Sequence, residues 1–223
     1  MEIAERVDGL QELVWACYCL GHLELALGRF AEAAAVLGRA AALCEGGGFP
    51  LYAPRVLASL AAAHARPGQS ERALLLLDQA VQAAESTRVL FGHSLMLCLL
   101  GVVQLLAGHD AEARHLAAQA LDLTRQRGER GDEAWALHLA AEAAARADVD
   151  AALARYHEAL AIAVDLGMRP LEGRCHLGLG ALFGRTGQPA AARAALARAM
   201  ELFQRMGMKF WLGRAEDAAG RLA

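Results

Sequence analysis

Few side chains in this 223-residue sequence could do chemistry, and their spacing limits what each could do. His109 with His115, and His138 with Glu142, are the pairs that could begin a metal site, but they read better as solvated or hydrogen-bonded histidines. Cys17 and Cys19 stand two apart, so on a helix they point roughly 200° from each other and cannot readily share a zinc ion. With Cys44, Cys98 and Cys175 they lie at irregular intervals inside helical patterns, unlike a disulfide framework, and read as reduced packing thiols. Gly178, Gly180 and Gly184 in HLGLGALFG look superficially like a dinucleotide loop, yet the spacing is GxGxxxG and no strand precedes it. The sole lysine, Lys209, follows no glycine-rich loop, so the backbone cradle of a P-loop is missing. No Ser or Cys stands with the base and orienting group that nucleophilic catalysis requires. The expectation is no catalytic residue, no cofactor and no metal.

What remains is the scaffold, and it is periodic. Leu20, Leu60, Leu100, Leu139 and Leu179 form one column with steps of 40, 40, 39 and 40. A small residue follows each: Gly21, Ala61, Gly101, Ala140 and Gly180. Further columns keep the same phase: Gly28, Gly68, Gly108, Ala147 and Gly187; Ala33, Ala73, Ala113, Ala152 and Ala192; Ala40, Ala80, Ala120, Ala159 and Ala199. Such phasing denotes a stack of helical hairpins in which no hairpin can bury its apolar faces alone. In one unit, Pro170 opens a first helix that Gly187 closes, and Pro189 opens a second that Gly207 closes. Small residues in the columns let the paired helices approach closely while leucines fill beside them. Gly46, Gly47 and Gly48 read as a flexible link between helices.

The first helices are expected at about 10–27, 51–66, 90–107, 131–146 and 170–186, and the second at about 30–45, 70–87, 110–127, 149–166 and 189–206, with a last helix from about Lys209 to Leu222. Composition fits: 56% of residues are hydrophobic and only five are proline. A net charge of -3 and 5% aromatic residues argue against nucleic acid as a direct partner. The longest apolar stretch, around Leu95 to Ala107, is shorter than the ~20 residues of a bilayer span. Glu2, Glu5, Arg6 and Asp8 at the start are unlike a signal peptide, which implies a cytoplasmic protein.

The L-G, G, A, A arrangement resembles the tetratricopeptide (TPR) repeat, which implies an all-α, right-handed TPR-like solenoid with a period of 40 rather than the common 34 residues. On that pattern residues 1–9 are the end of a preceding partial repeat, 10–207 hold five repeats (about 10–47, 50–88, 90–128, 130–168 and 169–207), and 208–223 form a capping helix. The unpartnered start would leave apolar surface through which the chain could self-associate. Residues 166 to 216, LGMRPLEGRCHLGLGALFGRTGQPAAARAALARAMELFQRMGMKFWLGRAE, are similar to the C-terminal end of bacterial signalling proteins in which a class III adenylate or guanylate cyclase precedes an AAA-type ATPase and a TPR tail. LALGRFAEAAAVLGRA, GGFPLYAPRVLASL and RGDEAWALHLA resemble the same tail, and related arrays also end LuxR-type ATPase regulators. The resemblance implies an interaction or regulatory module whose partner is a protein, a peptide, or catalytic domains of the same parent chain; no membrane is implied.

By analogy with TPR arrays, positions five and two before and two and five after the Leu column line the concave side. These include Trp15, Tyr18, His22, Arg55, Leu95, Cys98, Val102, Leu105, Leu137 and Arg174, which are the expected partner contacts. Either this apolar lining is an open groove or tight coiling fills it from within. A small apolar ligand sensed by the interior is the alternative to a protein partner. The Lys and Asn of the family's carboxyl-terminus receptors are absent from these positions, and the chain has no asparagine.

Overall fold

The computed structural model describes residues 9–66, 69–87 and 92–222, and among them eleven helices account for the regular structure. They are α1 (Leu10–Leu27), α2 (Phe30–Gly47), α3 (Ala53–His64), α4 (Ser70–Thr87), α5 (His93–Leu106), α6 (Asp110–Arg127), α7 (Arg130–Ala144), α8 (Val149–Asp165), α9 (Arg169–Arg185), α10 (Pro189–Arg205) and α11 (Lys209–Gly220). Of the segment expected to be a partial repeat, residues 1–9, all but Gly9 lie outside the described residues, as do Gly68 and residues 88–91. No described helix is long and apolar enough to cross a membrane.

The chain divides into two compact units, residues 1–112 and 113–223. In the first, α1 pairs with α2 and α3 with α4 as hairpins, while α3 also packs against α1, α2 and α5. In the second, α7 pairs with α8 and α9 with α10, and α11 packs on α10 and α9. The alanine columns explain these pairings. Ala33, Ala73, Ala113, Ala152 and Ala192 are buried, as are Ala40, Ala80, Ala120, Ala159 and Ala199 seven residues on, so each second helix turns a small-residue stripe inward at i and i+7. Leu37, Leu77, Tyr156 and Leu196 fill the position between.

Gly21 and Gly180 show why the small column is small. A Cβ on Gly21 would fall 2.4 Å from Leu37 Cγ, and one on Gly180 would fall 2.6 Å from Leu196 Cγ. The leucine of the second helix occupies the space where the first helix has no side chain. Gly178 likewise lies under the Tyr156 ring and Gly173 under Phe203, so these glycines pack helices.

Three local expectations are corrected. Gly46 and Gly47 are helical, and only Gly48, at φ 69°, leaves the helix, so the triple glycine is a helix end rather than a flexible link. The bare Gly47 lets the Phe49 ring fold back onto it. Helix α3 spans twelve residues rather than the sixteen of 51–66, because Pro54 sits in its first turn and Ala65 leaves the helix at ψ 72°. Cys19 is exposed and therefore not a packing residue, while the other four free cysteines are buried.

Candidate functional site

In the first unit, α1 presents Trp15, Tyr18 and His22 at helical spacing along one face, all half-buried. Trp15 and Tyr18 stack with ring centroids 5.3 Å apart, Tyr18 and His22 at 4.5 Å, and Tyr52 joins Trp15 at 5.7 Å. Arg55 reaches over from α3 and lays its guanidinium on Trp15 (5.2 Å) and Tyr18 (5.8 Å). It is buried, and its outer end packs beside Gly92, where a Cβ would fall 3.3 Å from the Arg55 guanidinium; Gly92 precedes α5 in a left-handed conformation. Burial lowers the Arg55 pKa, while the Tyr18 and Tyr52 phenols oppose the shift.

His22 is tied in as well. Ser59 Oγ donates to the Arg55 carbonyl (2.7 Å), so the 2.8 Å contact between His22 Nε2 and Ser59 Oγ makes the imidazole nitrogen the donor. Burial, and then the Arg55 charge, bring His22 down to about 4, which keeps it neutral at pH 7.

The second unit carries a related arrangement. Arg174, on α9 at the register Arg55 has on α3, places its guanidinium over two indoles, Trp135 of α7 at 5.0 Å and Trp211 of α11 at 4.5 Å. Beside it are His138, 3% exposed, Glu142 one turn further along α7, and the buried Tyr156 of α8. Tyr156 donates its hydroxyl to Glu142 Oε1 (3.3 Å), and His138 Nε2 stops 3.9 Å from the same oxygen. Burial and the neighbouring Arg174 lower His138 to about 4, with Glu142 and the Arg174 backbone opposing. Burial raises the Tyr156 phenol, Glu142 adding to it, and burial raises the Cys175 thiol to about 12. None of these groups is poised as a nucleophile or base at neutral pH.

The polar atoms here are incompletely paired. His138 Nε2 and Arg174 Nε are both buried and find no hydrogen-bond partner among the described residues. No described carboxylate comes within ion-pair distance of the Arg174 guanidinium, although Glu142 is the strongest of the charges that oppose the lowering of its pKa by burial.

The structure brings Trp15, Tyr18, His22 and Arg55 together. It places Leu95, Val102 and Leu105 half-buried along α5. Cys98, Leu137 and Arg55 are 4%, 1% and 6% exposed, so these three of the expected contacts lie largely within the packing. In the same register, Ala58 and Ala62 of α3 and Ala134 and Ala141 of α7 are also buried.

Tyr52, Ser59, Trp135, His138, Glu142, Tyr156 and Trp211 were not among the expected contacts. A signal existed for two of them. Tyr156 stands in a column that otherwise reads Leu37, Leu77, Ala117 and Leu196, and Glu142 in one that reads Leu23, Ala63, Val103 and Leu182. Both breaks fall in the α7–α8 hairpin, and the two side chains meet.

Elsewhere, a hollow of about 240 Å³ is lined by Arg169, Glu172, Arg198, Leu202, Arg205 and Met206. Arg198 there is bound to Glu172 (2.9 Å) and Glu201 (2.8 Å), so its wall is charged, unlike the dry interior a small apolar ligand requires. Among the described residues no three His, Cys, Asp or Glu side chains are grouped to hold a metal ion.

No family model matches the chain, and no curated protein matches its sequence. Among solved structures it is similar to the crystal structure of BtubC (BKLC) from P. vanneervenii, with a TM-score of 0.56 and 17% identity over 96% of this chain and 85% of that one. The likeness is one of fold, and the fold is an all-α, TPR-like arrangement of sequential antiparallel hairpins.

Proposed function

We propose that this chain is a non-catalytic protein-interaction module that presents aromatic and arginine side chains from the first helices of its hairpins. One observation carries the reading. In both units an arginine of the register that lines the inner face of TPR arrays lies against tryptophan, Arg55 against Trp15 and Arg174 against Trp135 and Trp211. Trp, Tyr and Arg are the residue types that dominate interaction hot spots, because they bring large contact area and directed hydrogen bonds at low entropic cost. The finer reading takes the partner to be a nucleotide cyclase or ATPase module of the kind found in cytoplasmic signalling proteins. Its support is the likeness of residues 166 to 216 to the tail of such proteins.

Site-specific photocross-linking tests both levels. A photoreactive residue at Tyr18 or Leu95 is expected to capture a co-expressed cyclase or ATPase segment, whereas one at Gln82 or Gln119, exposed on the second helices, is not. Equal capture from all four positions would remove the inner-face assignment. Capture of another protein, but not of those segments, would remove the finer reading.

A further inference from the structure

We infer that the box formed by Trp135, Arg174 and Trp211 receives the side-chain carboxylate of a glutamate or aspartate on the protein partner, an inference that rests on the interaction reading above. The stacking geometry is the first argument. Two indole rings lie within cation–π distance of the guanidinium carbon, at 5.0 and 4.5 Å, and the hydrogen-bond donors of the group lie in its own plane, along its edge. That edge is the part of arginine that a carboxylate engages with two parallel bonds.

The second argument is what the edge lacks. Arg174 is half-buried, its Nε is unpartnered, and no carboxylate among the described residues reaches it. Glu142 offsets part of the cost of this desolvated cation without forming an ion pair with it, and an incoming carboxylate bonded to the edge relieves the remainder where a neutral side chain cannot. Arg214 stands close enough to act on Arg174 with like charge, which adds to the local preference for an acid.

The third argument is the neighbourhood. His138 is buried beside the same guanidinium with an unpartnered Nε2, its ring packed edge-on against Trp135 and Tyr156. Glu142 and Tyr156 interrupt two apolar columns of the repeat at this point alone, and a polar break in an otherwise consistent pattern is where function displaces packing. Glu142 accepts from Tyr156 at 3.3 Å, and its side chain is 40% exposed. It is thereby held beside Arg174 rather than on it. Glu142 works as a gate of charge, admitting an acid only where Arg174 outweighs it.

The test follows the Arg174 Nε–H and the indole N–H signals of Trp135 and Trp211 by NMR in the full chain, at constant ionic strength. The probe is the blocked peptide acetyl-Gly-Glu-Gly-amide, with acetyl-Gly-Gln-Gly-amide and acetate as counter-arms. The glutamate peptide is expected to move all three signals saturably, with the glutamine peptide weaker by about tenfold or more, a difference of about 1.4 kcal/mol. Arg174→Gln should abolish the response in the indoles, Arg174→Lys should weaken it, and Glu142→Gln should strengthen it, each in a chain whose helical circular dichroism is unchanged. Equal movement by the glutamine peptide would overturn the inference, as would binding that survives Arg174→Gln. Acetate acting as strongly as the peptide would assign the box to small anions and overturn the docking claim. If the peptide response fails while cross-linking from Tyr18 persists, the acid site falls and the interaction reading stands; loss of the cross-linking instead removes the interaction reading.

Discussion

The two arginine boxes use one register and end differently. Around Arg55 the polar atoms close on themselves: His22 donates to Ser59, Ser59 donates to the Arg55 carbonyl, and the guanidinium lies on two rings and beside Gly92. Around Arg174 the rings are present but the closure is not, since Arg174 Nε and His138 Nε2 have no partner among the described residues. The difference shows that cation–π stacking alone does not complete an arginine. Stacking fixes its faces, and what meets its edge determines whether it serves as a fastener or a receptor.

Acid gives the largest expected effect. His22 and His138 are both held neutral, with folded pKa values of about 4 against an ordinary 6.5, so each contributes stability that is present above pH 6.5 and lost as pH falls through 4. Each contribution is on the order of 3 kcal/mol when fully developed. Urea unfolding between pH 7 and 4 should show that loss. Arg174→Met should raise the His138 pKa and leave His22 unmoved in an NMR titration, while Arg55→Met should do the reverse. Coupled movement of both histidines would break the comparison.

Next in size are the glycines that seat the leucines. Gly21→Ala in the first unit and Gly180→Ala in the second should each cost about 1 to 3 kcal/mol, because a methyl group meets Leu37 or Leu196 well inside contact distance. Gly213→Ala, where a Cβ would meet nothing, should instead stabilise by about 0.5 to 1 kcal/mol. Thermal melts of the three variants check this, and a loss at Gly213 equal to that at Gly180 would contradict the packing account.

A smaller effect separates the arginines directly. Arg55→Met should cost about 1 to 2 kcal/mol through lost cation–π contact. Arg174→Met should cost less than Arg55→Met, since the lost contacts with Trp135 and Trp211 are offset by removing a desolvated charge that makes no ion pair. A similar loss in both, measured by urea unfolding, would make Arg174 a fastener too. The smallest effect is local: Asp148 caps α8 through the Ala151 N–H at 2.9 Å, and Asp148→Ala should cost about 1 kcal/mol.

Much of the first box was legible in the sequence. Trp15, Tyr18 and His22 share a helix face by spacing alone, and adding the 40-residue step put Arg55 in their register. The second box was largely hidden. Trp135 falls one position beside the register that held Ala134, and Trp211 belongs to the last helix, outside the five columns. Glu142 and Tyr156 were visible as column breaks, but nothing in one dimension said that the two breaks touch. The depth of Cys98 and Leu137 within the packing was not legible, because register gives direction around a helix axis and not the height of neighbouring side chains.

The amino-acid order by itself determined the helices, their pairing and the stripe each turns inward, because a small residue every forty positions can be satisfied only where another helix comes close. Tertiary structure alone decided which polar atoms are paired. Hydrogen bonds and ion pairs depend on distances of a few tenths of an ångström between side chains from three helices, and periodicity carries no information at that scale. It therefore took the folded chain to show Arg55 closed and Arg174 open.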